Sequence, residues 1–342
     1  MDVSKISLHR SKLMALCIFS IMICHNTLQF GGTMQSINDV VRTFMQGGVD
    51  GFLILSGLGC YYSYNRIRNI RKYYIRRITR IMPTYIFIIA CYAVFSIFII
   101  KDKTVTQYLY DYSLVTFWTD GVLKEWYIAS LIVLYIVSPL MFILIDKNKT
   151  IYKILIVAIM VLSVLLGMLN LSDNLETVNE IFGSRISAFM IGILLATSAD
   201  SKVEKTDLKK NFVKNIFGFI LLCIAWFGVY NLDIPCRLIL LRFLLQALYL
   251  ILLSILSVIM DCSQKQYKVL SSIGTITLEI YLLHEKITGI TYFICCKFIQ
   301  NTLIRTIADN IMAIVISIVC AYIVSYIIQK IKYINKPVKK EA

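Results

Sequence analysis

The chain is predicted to be an all-α polytopic membrane protein with about ten transmembrane helices and both termini in the cytoplasm. Three observations lead to this fold class. Hydrophobic residues make up 58% of the 342 positions, against about 45–50% in soluble domains. The mean hydropathy is +0.74. Long, continuous apolar runs recur along the whole sequence, and this pattern is typical of membrane helices rather than of alternating barrel strands.

Each apolar run is long enough to cross a hydrocarbon core of about 30 Å at a rise of about 1.5 Å per residue. The ten predicted spans are residues 11–30, 46–64, 81–100, 126–145, 151–170, 182–198, 214–230, 237–259, 273–299 and 306–329. No large hydrophilic block interrupts them. Residues 1–342 are therefore expected to form a single domain, with a short basic cytoplasmic tail at 330–342.

Lysine and arginine are distributed unevenly between the segments that connect the spans. With the N-terminus inside, the inner segments hold 25 of these residues and the outer segments hold 6. Cytoplasmic loops of membrane proteins carry such an excess. Topology therefore accounts for the net charge of +15, and no nucleic-acid partner is expected.

Several classes of protein are excluded by the motifs that the sequence lacks. It has no P-loop, no G-x-G-x-x-G, no H-E-x-x-H and no Cys/His zinc spacing, which argues against nucleotide-hydrolysing pumps and membrane metalloproteases. Ten cysteines are scattered largely through apolar runs, so no disulfide framework is expected. We expect no bound cofactor and no metal.

Ionisable residues inside the spans are the candidates for function, because each costs roughly 2.5–3.5 kcal/mol to insert. They are His25, Asp50, Glu125 (beside Trp126), Arg185, Arg242, Glu279 and His284. Counting along the helices at about 1.5 Å per residue places His25 and Asp50 at similar depths in the outer half of adjacent spans.

His25 has two interpretations. It is either a general base or nucleophile, with Asp50 holding its tautomer, or a helix-end histidine in the headgroup layer beside Asn26. The ninth span also leaves two interpretations open. Thr277, Tyr281 and His284 share one helical face, which either lines a polar cavity that binds substrate or supplies hydrogen bonds between helices.

The densest basic stretch, residues 66–80, contains seven lysines and arginines together with tyrosines. At the inner mouth of the protein these charges could attract a polyphosphate such as coenzyme A. The alternative is a topology-determining loop that contacts anionic lipid headgroups.

Six segments, taken in order, resemble the bacterial acyltransferase-3 family, multi-span proteins that O-acylate cell-surface glycans. The first three are residues 12–26, a first helix with a histidine near its end; residues 48–57 (G-V-D-G-F-L-I-L-S-G); and residues 76–85 (R-R-I-T-R-I-M-P-T-Y). The other three are residues 125–139, which begin E-W-Y-I and continue to a tyrosine and a proline; residues 185–192 (R-x-x-x-F-x-x-G); and residues 274–284 (G-x-x-T-x-x-I-Y-L-x-H). Their order and spacing make the resemblance fairly specific.

The resemblance implies an integral membrane O-acyltransferase in the plasma membrane of a bacterium. Its donor would be acyl-CoA, usually acetyl-CoA, and its acceptor a hydroxyl of a cell-surface polysaccharide or a lipid-linked sugar. By the same resemblance His25 is catalytic and Asp50 belongs to the same site. The basic motif, with Arg76, Arg77 and Arg80, would hold the donor. The expected substrate-binding residues are Glu125, Trp126, Arg185, Tyr281 and His284.

One position departs from the family pattern. The family often carries an arginine eleven residues before the histidine, where this chain has Met14. Arg10, about one turn earlier, is the candidate replacement. Met14 therefore leaves a catalytically inactive relative open. A transporter or exporter of a small anion or lipid-linked sugar also remains open, with His25, Asp50 and His284 as its binding or proton-relay groups.

Overall fold

A computed structural model describes residues 2–334 apart from residues 29, 31, 102, 170, 199–204 and 264–266. The described chain is helical throughout and contains no strand. This agrees with the predicted all-α class. Residues 335–342, the greater part of the predicted basic tail, lie outside the described residues.

The helices follow one another with short connections. The first eight are α1 (Val3–Leu8), α2 (Arg10–Cys24), α3 (Gly32–Met45), α4 (Gly47–Ile67), α5 (Ile70–Ala93, continued by a π-helix Val94–Ile100), α6 (Val105–Asp111), α7 (Thr116–Asp120) and α8 (Trp126–Lys147). The second eight are α9 (Lys149–Gly167), α10 (Asp173–Ile181), α11 (Ile186–Ala196), α12 (Lys205–Tyr230), α13 (Arg237–Cys262), α14 (Lys268–Thr275), α15 (Thr277–Phe298) and α16 (Thr302–Ile334); a single 3₁₀ turn, Gly183–Arg185, precedes α11.

Seven helices of the described chain are long and apolar enough to cross a membrane. They are Ile70–Ile100, Trp126–Lys147, Lys149–Gly167, Asp173–Ala196, Asn211–Tyr230, Arg237–Cys262 and Thr302–Lys332. Each overlaps one of the predicted spans. The other three predicted spans correspond to α2, α4 and α15, which fall outside this set. The total of ten and the cytoplasmic placement of the termini therefore remain predictions.

Helix α4 occupies the centre of the molecule. Every residue from Gly47 to Leu58 is buried, so this part of the helix is covered on all sides, as expected for an element without a solvent or lipid face. Two glycines allow α11 to cross it closely. A β-carbon at Gly57 would lie 2.1 Å from the carbonyl oxygen of Phe189, and one at Gly192 would lie 2.0 Å from that of Ile54. Small residues permit such backbone contact between membrane helices.

Helix α2 packs against this centre and is held at its base by α14. A β-carbon at Gly48 of α4 would lie 2.7 Å from the Cys17 carbonyl oxygen, and one at Gly274 of α14 would lie 1.9 Å from that of Ser11. The Ser11 hydroxyl also donates to the Ser271 carbonyl oxygen at 2.8 Å. These contacts fix the position of the C-terminal end of α2, and His25 directly follows that end.

Two predicted boundaries differ from the structure. The first span was predicted to reach residue 30, but α2 ends at Cys24, because polar side chains beyond it bond elsewhere. Asn26 donates to the Ile23 carbonyl oxygen at 2.7 Å, and Thr27 donates to Asp309 on α16 at 2.6 Å. Such bonds compete with helix continuation. The ninth span, 273–299, is broken between α14 and α15 at Ile276.

Candidate active site

His25 sits at the C-cap of α2, and its nearest polar neighbours come from α15. Its Nδ1 lies 3.4 Å from Oε1 of Glu285. Its ring centre lies 5.1 Å from that of His284, with the planes at 70°. The side chain of His25 is 43% exposed. His25 was predicted to lie inside the first membrane span, in its outer half; since α2 ends at Cys24, the ring lies at the rim of the helix bundle rather than in its interior.

His284 is the buried member of the pair, at 2% exposure. Its Nδ1 lies 2.6 Å from the carbonyl oxygen of Tyr281, one turn back on α15. A carbonyl oxygen only accepts, so the proton of a neutral His284 is on Nδ1 and the lone pair is on Nε2. That Nε2 is buried and makes no hydrogen bond within the part of the chain that the structure describes.

Asp50 does not hold the imidazole of His25. Its carboxylate is fully buried, and its charged partner is Arg185, whose Nε lies 3.7 Å from Oδ1. No hydrogen bond or ion pair joins it to His25 among the described residues. The predicted contact between them is therefore wrong. Similar depth on adjacent helices did not make the two side chains face each other.

A polar cavity of about 270 Å³ opens at the N-terminal half of α2, the half that the positive-inside prediction assigns to the cytoplasmic side. Three arginines line it: Arg10, Arg77 and Arg80. The other residues that line the cavity are Met14, Phe52, Ser56, Gly59, Ser63, Ile81, Tyr127, Leu131, Tyr135, Thr277, Leu278 and Tyr281. Thr277 and Tyr281 lie on this wall, so for these two residues the structure favours the cavity over the alternative of hydrogen bonds between helices.

Two of the three guanidinium groups of this cavity, those of Arg10 and Arg77, are held by contacts with the fold. Arg10 donates from Nε to the Leu55 carbonyl oxygen at 2.8 Å, and it fills the space that a side chain at Gly59 would need. Arg77 lies over the ring of Tyr135, at 5.5 Å from the ring centre. Arg76, by contrast, is exposed and does not line the cavity.

Aromatic side chains connect this cavity to the two histidines. Tyr281 lines the cavity, and its ring centre lies 4.8 Å from Tyr127 and 5.5 Å from His284. His284 in turn packs against His25. Helix α2 begins at Arg10 and ends at Cys24, and these ends are roughly 21 Å apart at 1.5 Å per residue. The cavity and the histidines therefore lie toward opposite ends of one helix, joined by Tyr281.

The remaining predicted site residues form the surroundings of the histidines. Glu125 pairs with Lys286, and both side chains are buried. The guanidinium of Arg185 lies 5.0 Å from the ring centre of Trp126. Trp126 is the first residue of α8 and precedes Tyr127. These predicted residues lie beside the histidine pair, and none of them contacts His25.

Two residues of the site were missed in the sequence, Glu285 and Lys286. They directly follow His284, so three consecutive ionisable residues stand inside a predicted span. Such a run is costly in a membrane segment, and that cost is the signal that could have identified them.

The protein is an apolar helical bundle with a basic cavity toward one end of α2 and a histidine pair at the other end, and aromatic side chains connect the two. These features define a membrane protein with an intramembrane polar site. The chain belongs to the acyltransferase family described as "Acyltransferase domain", whose model matches residues 13–330. The family resemblance read from the sequence is confirmed, and the protein is a membrane acyltransferase. No curated protein and no solved structure shows a significant match.

Proposed function

We propose that this acyltransferase transfers an acetyl or other short acyl group from acyl-CoA to a hydroxyl of a cell-surface polysaccharide or its lipid-linked precursor, in the plasma membrane of a bacterium. The observation that carries the proposal is the position of Tyr281, which lines the arginine-lined cavity and packs against His284, the neighbour of His25. Donor-binding charge and a proton acceptor thus lie on the two sides of one aromatic side chain.

The cavity end suits the phosphates of coenzyme A. Arg10, Arg77 and Arg80 present three guanidinium groups to one polar space, and guanidinium binds phosphate through charge-assisted, paired hydrogen bonds. The long uncharged pantetheine arm of the donor would extend along the aromatic wall of Tyr127 and Tyr281. Exposed cations such as Arg76 would add to the attractive field without contacting the donor.

The histidine end suits the transfer step. The carboxylate of Glu285 lies 3.4 Å from Nδ1 of His25, and its negative charge favours the tautomer with the proton on Nδ1 and the lone pair on Nε2. As the acceptor oxygen bonds to the thioester carbonyl carbon, its proton passes to this Nε2. The carbon–sulfur bond then breaks, and the departing thiolate takes the proton from His25, so that free CoA and the acyl ester are the products.

The exposure of His25 fits this direction of transfer. The donor is made in the cytoplasm, whereas a surface glycan is reached from the other side. An imidazole that is 43% exposed is open to an acceptor at that surface, and the donor would approach it from the cavity, past Tyr281 and His284. CoA therefore does not have to cross the membrane.

Full-length protein in liposomes, supplied with labelled acetyl-CoA and glycan acceptor, tests the proposal. Wild-type protein should move label to the glycan and release one free thiol per label, while His25→Ala should lower the rate by about 10²–10⁴-fold. His9→Gln is the control, since His9 lies outside the site. Label transfer by His25→Ala at the wild-type rate, or passage of solute with no covalent transfer, would contradict the proposal.

A further inference from the structure

Three side chains around His25 have the chemistry of a transition-metal site. His25, His284 and Glu285 each offer a ligand atom, and these atoms all lie within 4.8 Å of one another. Two imidazoles and one carboxylate, with a fourth position left to water, are a ligand set that zinc-like ions use in proteins. The motif search could not detect the set, because the fold brings His25 to a distant helix.

The unpartnered nitrogen of His284 is the second observation. Its Nδ1 is bonded to the Tyr281 carbonyl oxygen at 2.6 Å, and its Nε2 is buried without a hydrogen bond in the described structure. Metal-binding histidines are held in this way, with the second ring nitrogen donating to a carbonyl or carboxylate. A buried acceptor left unpaired is otherwise costly, and a bound cation would relieve that cost.

The other two ligands can adjust to an ion. Tetrahedral coordination at about 2.0–2.2 Å needs ligand atoms closer together than the present spread. His25 and Glu285 are 43% and 54% exposed, so their side chains can rotate inward, and the same exposure gives an ion a path of entry. The neighbouring cation, Lys286, is paired with Glu125, which limits its repulsion of the ion.

We propose that His25, His284 and Glu285 form a binding site for one divalent ion of the zinc class, and that the ion inhibits acyl transfer. An ion that takes the His25 nitrogen facing Glu285 would leave the ring proton on Nε2, and so remove the lone pair with which His25 accepts the acceptor's proton. The binding site stands on the geometry alone. The inhibition rests on the proposed function.

Cobalt(II) titration of purified full-length protein without a polyhistidine tag tests the site, because bound cobalt reports its ligands in the visible spectrum. Wild-type protein should bind one equivalent with ligand-field bands and no thiolate charge-transfer band. Glu285→Gln and His284→Gln should each weaken binding at least tenfold. His9→Gln, which removes the chain's remaining histidine, should bind as the wild type does. Cobalt should also raise the melting temperature of the wild-type and His9→Gln proteins and leave the two site variants unchanged.

Equal cobalt binding by wild type and by the Glu285→Gln variant, or a thiolate band that points to the cysteines, would overturn the site. Transfer activity provides the second readout. Zinc should abolish label transfer over the concentration range in which it binds, and a chelator should restore it. Binding at the three residues with unchanged or increased transfer would overturn the inhibition, and with it the role of His25 as base, while leaving the site in place.

Discussion

Arg10 and Met14 lie one turn apart on α2 and line the same cavity. Members of the resembled family often carry arginine at the position of Met14, and here the guanidinium arrives from Arg10 instead. Its Nε–H is fixed on the Leu55 carbonyl oxygen, and its head fills the space over Gly59. The cavity therefore keeps three cations although the usual arginine is missing. This arrangement argues against an inactive relative.

Arg10→Ala should raise the KM for acyl-CoA by about tenfold to a hundredfold, the equivalent of one lost charge-assisted hydrogen bond of about 1.5–3 kcal/mol. The double variant Arg10→Ala/Met14→Arg should recover most of that loss, since it returns a guanidinium to the same cavity one turn away. Steady-state kinetics with varied acyl-CoA measure both. A single variant with the wild-type KM would show that Arg10 does not contact the donor.

Arg80→Ala should raise the KM for acyl-CoA in the same range, whereas Arg76→Ala should change it less than about threefold. The reason is position: Arg80 lines the cavity, and Arg76 is exposed outside it. The two residues sit in one basic motif, so each serves as the matched control of the other. Equal effects would indicate that the stretch acts through its net charge alone.

Glu285→Gln should lower kcat by about tenfold to a hundredfold and leave the KM for acyl-CoA unchanged. The amide keeps the shape of Glu285 but no longer stabilises the positive charge that His25 acquires when it takes a proton, and general acid–base catalysis contributes about 10²–10⁴-fold in all. Glu176→Gln, an exposed carboxylate on α10, is the control. A change in KM with unaltered kcat would assign Glu285 to binding rather than to His25.

Gly192→Ala should destabilise the fold by about 1–3 kcal/mol, because the new methyl group would lie 2.0 Å from the Ile54 carbonyl oxygen and force α4 and α11 apart. Gly228→Ala is the matched control, since a β-carbon there meets no atom within 4 Å. Thermal unfolding in detergent compares the two. If both variants melt at the wild-type temperature, the close crossing of α4 and α11 is not a determinant of stability.

The loop clamp formed by Asp111 with Lys103 and Lys124 should make stability depend on pH. Hydrogen bonds from Lys103, then from Lys124, hold the pKa of Asp111 below its ordinary value of 3.8. A lowered folded-state pKa contributes stability above the ordinary value, and this contribution is lost as the pH falls through the lowered one. Asp111→Asn should therefore lower the melting temperature by about 1–3 °C at neutral pH. The difference should shrink as the pH falls below 3.8 and toward the lowered pKa of Asp111; a difference that is constant with pH would contradict the clamp.

The sequence predicted the elements of the site that depend on helix periodicity and on motifs. Thr277 and Tyr281 share one face, because a four-residue spacing repeats on one side of a helix; that this face lines the cavity was left open by the spacing and is seen only in the structure. Arg77 and Arg80 likewise meet the cavity wall. The seven predicted spans that form helices long and apolar enough to cross a membrane are those whose apolar runs are long and unbroken.

The contacts between helices could not be predicted in the same way. Counting residues gives the height of a side chain in the membrane but not the direction in which it points. His25 and Asp50 were therefore predicted at similar depths, but the carboxylate of Asp50 lies beside Arg185. The neighbour that His25 does have, Glu285, is set by how α15 packs on α2, which no local pattern contains.

The most direct measurement is the structure of the protein with CoA bound. The account predicts phosphate oxygens within about 2.7–2.9 Å of guanidinium nitrogens of Arg10, Arg77 or Arg80. It also predicts a pantetheine arm that passes Tyr281 and a thiol sulfur beside His25. CoA whose phosphates avoid these arginines, or whose thiol ends away from His25, would contradict a single donor path between the cavity and the histidine pair.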